Sequence, residues 1–597
     1  MTEPQAETGR RIDALSPEQR ELLLRRLRER GAPAPATAPP AESPQLVAGP
    51  CDPHQPSPLG DTQAAFWMGG TGLYDLGGAS ANVYVEHEVP GSAEELAARL
   101  NLVLARAVAR HPMLRTVITA DGMQRVLSET PPYEVELLDL SRLSGAEIER
   151  HLESTRERLR YSRHLPGRWP LFDIAVLQLP EETIRLQARF SALLVDGTSR
   201  AQLIDELVRG VQEDEASEAL PPLEVAYSDF VRALHAFRES DTWQQSRTWW
   251  LERLPTLPPA PRLPMARDFG PETVPRIVWR HVPVLEPTAW ALLCRRAAQR
   301  GLTPSGIGTA LVAETLRAWS EEPSFTLGLE GAWYPPVHPQ IRQVIGTFTT
   351  LYLLEAEGTP GPFAQRARRL QDRLNADLDH QHFSGHEALR ELNRMRRSGG
   401  RATLPIHFTS TLRSGAEPAQ ASEPAERPAG PPPAVGGLRQ IDLMIAMPQV
   451  LLFWVLGEAG DRSLVLISQA VEELFPPGLV TDLLDGFRRL AGRLAEEDEA
   501  WSDPHPLPLP ASTIGEPGRL ADLGRGERLL SLADPGSALA LYERQTARET
   551  GATVILPAAD EHAPAAFAAL AVRERATVWS SAPAVFEAAL HQMENDH

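Results

Sequence analysis

The sequence contains few cysteines, no long apolar run and no excess of positive charge. Only Cys51 and Cys294 occur among 597 residues. Neither a disulfide framework nor a cysteine-ligated zinc site is therefore expected, and a cytoplasmic location is the default. No apolar run reaches the roughly 20 residues of a membrane-spanning helix, and the polar start Thr2-Glu3-Pro4-Gln5 does not resemble a signal peptide. The net charge of -20 argues against a nucleic acid or an anionic membrane as a partner.

What the sequence does contain is enough apolar material for large buried cores, since 42% of its residues are hydrophobic. Strand patterns alternate with helix patterns in two separate stretches of the chain. The predicted strands are 83–89, 172–179, 325–329 and 348–354, and the predicted helices are 94–110, 287–299 and 304–320. This mixed order, found in both halves, predicts two α/β-layered units.

A strand-to-helix turn at Asp196 is the most informative local feature. Residues 183–195 are rich in β-formers and become almost wholly apolar toward their end, as a central strand does. The chain then turns at Asp196-Gly197, and Ser199 with Gln202 predicts a capping box for a helix from about residue 200. A strand end that leads into a helix N-terminus can hold polar groups over a substrate.

This turn occurs together with further motifs that follow one another from residue 58 to residue 502. They are 58–69, 109–115, 249–254, 346–350, 379–385, 405–410 and 471–478. In content and order they resemble the heterocyclization and condensation domains of nonribosomal peptide synthetases. The cyclizing branch has Asp-x-x-x-x-Asp-x-x-Ser at the turn, where Asp196 and Ser199 match and Ser191 replaces the first Asp. The amide-forming branch has His-His-x-x-x-Asp-Gly, where Ser191 and Ala192 replace both histidines.

The resemblance implies an α/β fold of two lobes like chloramphenicol acetyltransferase subunits, a condensation fold with a tunnel between the lobes. It places an N-terminal lobe at 58–235 and a C-terminal lobe at 236–510, with a disordered Pro/Ala/Gly-rich insertion at about 414–437. Residues 1–57 are expected to form a short charged helix and a Pro/Ala-rich linker, either as a docking element or as a disordered tail. Residues 511–597 resemble a truncated piece of an adenylation domain, and we interpret them as a remnant that caps the second lobe.

The implied chemistry has two stages, on thioesters carried by the phosphopantetheine arms of partner carrier domains; no cofactor is bound by the chain itself. The amine of a carrier-bound Cys, Ser or Thr attacks an acyl thioester, and its side chain then attacks the new amide carbonyl with loss of water. The second stage needs a proton donor and acceptor. By resemblance these are Thr409, which is retained in Phe408-Thr409-Ser410, and a carboxylate that Phe453 replaces here. Because one general acid or base contributes about 10²–10⁴-fold, cyclodehydration is expected to be reduced or lost.

Asp196 has two interpretations. It is a candidate catalytic carboxylate, but an Asp at such a turn more often caps the helix N-terminus or pairs with an Arg. Ser191 is a candidate hydrogen-bond donor to a substrate carbonyl and cannot act as a base without an activating neighbour. The candidate catalytic residues are thus Thr409, Asp196 and Ser191, and the predicted tunnel residues are Ser199, Ser410, Phe453 and Thr349.

His380 and His382 are two residues apart, but with no cysteine or third clustered ligand they do not predict a metal site.

The domain is expected to join two carrier-bound substrates, since alignment of thioester and amine alone can contribute about 7–11 kcal/mol. The alternative is an inactive docking module for peptidyl or aryl carrier domains and neighbouring synthetase subunits.

Overall fold

Helices and strands alternate along the chain in a computed structural model, which describes residues 43–46, 54–78, 80–161, 165–212, 220–412, 439–507, 523–532, 543–544, 546–548, 550–557 and 564–581. The predicted helix at 16–30 and the insertion at 414–437 lie outside these residues. Within them, no helix is both long and apolar enough to span a bilayer.

The elements are numbered in chain order. The helices are α1 (Asp61–Gly69), α2 (Ala93–Arg110), α3 (Gly145–Tyr161), α4 (Gly197–Gln212), α5 (Tyr227–Phe237), α6 (Asp241–Arg253), α7 (Pro287–Gln299), α8 (Pro304–Trp319), α9 (Phe363–Asp379), α10 (Gly385–Arg396), α11 (Leu479–Glu496) and α12 (Pro564–Arg573). The strands are β1 (Ser57–Pro58), β2 (Asn82–Pro90), β3 (Thr116–Ile118), β4 (Met123–Val126), β5 (Glu136–Asp139), β6 (Phe172–Leu179), β7 (Thr183–Ser191), β8 (Val278–Leu285), β9 (Phe325–Ala332), β10 (Thr349–Ala356), β11 (Ile406–Ser410), β12 (Arg439–Ala446), β13 (Leu452–Glu458), β14 (Leu464–Ala470), β15 (Arg528–Ser531), β16 (Thr553–Ile555) and β17 (Val578–Ser580).

The first lobe is built on a five-stranded sheet with strand order β12-β2-β7-β6-β5. Helices α2 and α4 cover one face, where Leu104 and Leu203 are buried, and α3 covers the other face through Leu152. Strand β12 comes from the range expected to form the second lobe, yet it pairs antiparallel with β2 as far as Ala446 opposite Asn82. The second half of the chain therefore contributes an edge strand to the sheet of the first lobe.

The second lobe is built on a six-stranded sheet with strand order β10-β9-β11-β13-β14-β8, in which β11 runs parallel to both of its neighbours. Helices α7, α8, α9 and α11 pack on one face against Trp454 and Phe408. Because side chains alternate along a strand, Phe453 and Val455 point away from this helical layer. They pack instead with Phe66 of α1.

The turn at Asp196 differs in detail from the prediction. Strand β7 ends at Ser191, not at residue 195, and α4 begins at Gly197. The predicted capping box of Ser199 with Gln202 is wrong, because Asp196 Oδ1 accepts the hydrogen bond of the Ser199 N–H at 2.8 Å and thereby places Ser199 inside the first helical turn. Gln202 donates its side-chain amide to the carbonyl of Gln343.

A small parallel sheet follows the second lobe, with strand order β16-β15-β17. Its core includes Leu529, Leu530 and Ile555. The interpretation of this segment as a remnant of an adenylation domain stays a prediction.

Candidate active site

Asp196 lies buried at the N-terminus of α4 and holds two parts of the chain together. Its Oδ1 accepts from the N–H of Ser199 at 2.8 Å, and its Oδ2 accepts from the N–H of Phe348 at 2.8 Å and from the Thr349 hydroxyl at 3.3 Å. Burial raises the pKa of Asp196, and these hydrogen bonds oppose the rise. Both carboxylate oxygens are engaged, which is the geometry of a structural cap.

The two serines of the turn are engaged in the same way. Ser199 Oγ accepts from the N–H of Gly346 at 3.1 Å. Ser191 is only 2% exposed, and its Oγ accepts from the N–H of Leu193 at 3.3 Å. Both hydroxyls therefore hydrogen-bond to the backbone around the turn.

A cleft lies over the face of the second-lobe sheet opposite α7, α8, α9 and α11. It is bounded by α1, α10 and the connection from β12 to β13. Its polar lining consists of Thr62, Glu330, Thr349, Thr350, His386, Asn393, Thr403, His407 and Gln449. Thr349 is the predicted site residue that lines it.

Thr409 lies on β11, the strand that also supplies His407 to the cleft. Its hydroxyl donates to the carbonyl oxygen of Glu330 at 2.7 Å. Ser410, the last residue of β11, accepts at Oγ from the N–H of Leu412 at 3.3 Å. The hydroxyl proton of Thr409 is therefore bound to the backbone of the neighbouring strand.

Phe453 stands on β13 directly beside His407 of β11 in the parallel register. Its ring packs in an apolar cluster with Met447 and Val450, and Phe66 of α1 lies against the same cluster. Met447 and Val450 also line the cleft. An apolar wall therefore occupies the position where the family resemblance expects a carboxylate.

Two cleft residues were not predicted from the sequence as site residues. His407 Nδ1 lies 2.7 Å from Oε1 of Glu330, so these side chains form a hydrogen-bonded pair. The sequence could have indicated His407 as a site residue, because it precedes Thr409 by two residues and alternate residues of a strand share a face. The hydrogen bond between His407 and Glu330 could not be predicted from the sequence, since 77 residues separate the two along the chain.

His386 of α10 also lines the cleft and was not predicted either. Burial lowers its pKa to about 4, although the nearby carboxylates of Asp61 and Glu330 act in the opposite direction. Its imidazole is therefore neutral at pH 7.

The histidine pair at the end of α9 makes packing contacts. His380 stacks on Trp249, and its Nδ1 lies 2.9 Å from the carbonyl oxygen of Ala376. His382 packs against Phe237. Among the residues that the structure describes, no group of three or more His, Cys, Asp or Glu side chains is arranged to hold a metal ion.

Two α/β lobes joined by a shared strand, with a cleft over the second sheet, define a condensation-type fold. Residues 79–417 match the family model described as Condensation domain. A solved cyclization-docking bidomain of the nonribosomal peptide synthetase EpoB from Sorangium cellulosum superposes with a TM-score of 0.66 at 31% identity, and the match covers 82% of this chain and 94% of that one. The chain belongs to the condensation and heterocyclization domains of nonribosomal peptide synthetases, which confirms the predicted family and two-lobed fold.

Curated relatives are much longer proteins. Pyochelin synthetase PchF of Pseudomonas aeruginosa is 34% identical over 488 residues, which are 81% of this chain and 26% of PchF. Phenyloxazoline synthase MbtB of Mycobacterium sp. (strain MCS) is 31% identical over 482 residues, 80% of this chain and 38% of MbtB. The chain therefore corresponds to one part of multidomain synthetases and is a condensation-type domain of nonribosomal peptide biosynthesis.

Proposed function

We propose that this domain joins an acyl group to an aminoacyl group, each held as a thioester on the phosphopantetheine arm of a carrier domain, with cyclodehydration of the product reduced or absent. The acceptor is a Cys, Ser or Thr thioester, as the cyclizing branch uses. The proposal rests on the cleft beside β11, whose lining combines polar and apolar side chains.

Amide formation requires mainly that the two substrates are aligned. A thioester carbon and an amine held about 3–3.5 Å apart can gain about 7–11 kcal/mol from proximity alone. Thr350 supplies a hydroxyl group on the cleft wall that can orient a carbonyl or amide group of an arm. This step therefore does not require the residues that the turn at Asp196 has lost relative to the family.

Cyclodehydration also requires proton transfer, because the hemiaminal oxygen must be protonated and leave as water. Phe453 cannot exchange a proton, and it packs with apolar Met447 and Val450. The hydroxyl of Thr409 already donates to the carbonyl of Glu330. Both features support a linear amide as the main product.

The proposed partners are peptidyl or aryl carrier domains and neighbouring synthetase subunits. The lengths of PchF and MbtB support this, since this chain matches only 26% and 38% of them. The substrates stay attached to these carriers, and the domain itself holds no cofactor in this proposal.

A second candidate is a docking module without chemistry. The apolar cluster at Phe453 and the engaged groups of Asp196 and Ser191 favour it. The experiment mixes benzoyl- and acetyl-loaded donor carriers with a cysteinyl-loaded acceptor carrier, and follows acceptor mass and carrier binding in parallel. Transfer that depends on the domain supports condensation. Carrier binding without transfer supports docking, and loss of both contradicts both functions.

A further inference from the structure

We propose that His407 is the proton-transfer residue of amide formation in this cleft, and that Glu330 is its positioning residue. This deepens the proposed function and rests on it. It assigns a chemical role to a pair on the second-lobe sheet rather than to the turn at Asp196.

The hydrogen bond between the two side chains fixes how the imidazole is presented. Because a carboxylate only accepts, His407 Nδ1 carries the proton that is shared with Oε1 of Glu330 at 2.7 Å. The lone pair is then on Nε2. Within the described part of the chain no residue forms a hydrogen bond with Nε2, while the side chain lines the cleft. This leaves a basic nitrogen for a substrate.

The residues around the His407 imidazole hold it in a defined position. The side chains of His407 and Glu330 are 10% and 15% exposed, so little water competes for their hydrogen bond. Gly328 lies beside His407 in the register of β9 and β11. A Cβ atom at Gly328 would lie 2.4 Å from His407 Cδ2 and 2.7 Å from Nε2. The absence of a side chain at Gly328 therefore makes room for the imidazole.

The candidate catalytic residues of the turn at Asp196 are already engaged. The oxygens of Asp196 accept three hydrogen bonds, from Ser199, Phe348 and Thr349. The hydroxyl of Ser191 is buried in the turn. His407 by contrast lies on the same strand as Thr409 and directly beside Phe453, where the resemblance puts the reacting groups.

The step balances with these groups alone. The acceptor amine attacks the carbonyl carbon of the donor thioester, and a C–N bond forms. The proton that the nitrogen gives up passes to His407 Nε2, and the carboxylate of Glu330 balances the positive charge of the imidazolium. The C–S bond then breaks, and the imidazolium returns the proton to the departing thiolate of the donor arm.

The test measures acyl transfer from the benzoyl- or acetyl-loaded donor carrier to the cysteinyl-loaded acceptor in H407Q, E330Q and the double variant. The matched control is H281Q, since His281 is exposed on β8 at the edge of the same sheet. We expect H407Q to lose about 10²-fold or more in rate with carrier affinity unchanged, whereas H281Q keeps the wild-type rate. E330Q is expected to be slower than wild type, and the double variant no slower than H407Q, because the pair acts as a unit.

A second readout separates chemistry from misfolding. In H407A the truncated side chain leaves a space, and added imidazole is expected to restore part of the lost rate. Wild-type transfer together with unchanged transfer in H407Q overturns the role of His407 and leaves the proposed function standing. A slow H407A that imidazole does not rescue also overturns it. Absence of transfer in the wild type overturns the proposed function itself, and the role of His407 with it.

Discussion

The carboxylate of Asp196 and the backbone of Phe348 are joined across 152 residues by a hydrogen bond of 2.8 Å, while the other oxygen of Asp196 caps α4. Phe348 is buried in the core of the first lobe although it directly precedes β10 of the second-lobe sheet. Asp196 therefore ties the first-lobe turn to the segment that leads into the second lobe. These hydrogen bonds support a structural role for this motif residue.

Removing the Asp196 carboxylate is expected to destabilise the fold. D196A loses a helix cap and leaves the buried N–H of Phe348 without its acceptor, which together cost about 2–4 kcal/mol of unfolding free energy. The control is D205A, because Asp205 lies on the same helix in an exposed ion pair with Arg209. We expect D205A within about 0.5 kcal/mol of wild type by denaturant unfolding. Equal stability of the two variants would contradict the capping role.

Adding one methyl group at Gly328 is expected to disturb the His407–Glu330 pair. The new Cβ would approach the imidazole to 2.4 Å and displace it from its hydrogen-bonded position. G328A should therefore slow acyl transfer in the direction of H407Q. G492A is the control, since a Cβ at Gly492 on α11 meets nothing within 4 Å. Full activity of a folded G328A would show that the position of the ring does not matter.

His87 is expected to make stability depend on pH. Its side chain is buried in the first lobe, and burial together with nearby Arg200 lowers its pKa from 6.5 to about 4. The unfolded chain therefore binds a proton at a pH where the folded protein does not, so the unfolding free energy falls as the pH falls from 6.5 toward 4. H87Q should flatten this slope, whereas H151Q, a change at an exposed position of α3, should not. An unchanged slope in H87Q would contradict the buried neutral histidine.

Placing a carboxylate at position 453 is expected to shift the products toward the cyclised form. F453D buries a carboxyl group beside Met447 and Val450, so a loss of stability of several kcal/mol accompanies the change. F453L keeps the site apolar and should leave the product ratio unchanged. The measurement is the fraction of acceptor product that has lost one water. A folded F453D that yields only linear amide would show that the lost carboxylate is not what limits cyclisation.

Several strands and helices of both lobes could be predicted from the sequence, because their periodicity is local. Strand Phe172–Leu179 and helix Pro287–Gln299 have the predicted bounds. The place of Arg439–Ala446 in the first-lobe sheet could not be predicted, since nothing local tells a strand which sheet edge it joins. The same holds for the pair of Glu330 and His407, whose strands meet only through tertiary pairing. The assignments of Thr409 and Ser191 stay predictions.

Condensation activity is tested by intact-protein mass spectrometry of a cysteinyl-loaded acceptor carrier after incubation with acyl-loaded donor carrier and this domain. We expect the acceptor to gain the mass of the acyl group only in the presence of the domain, and little or none of this product to lose a further water. An acceptor of unchanged mass would contradict the condensation activity. A product that has mostly lost one water would show that Phe453 does not prevent cyclodehydration.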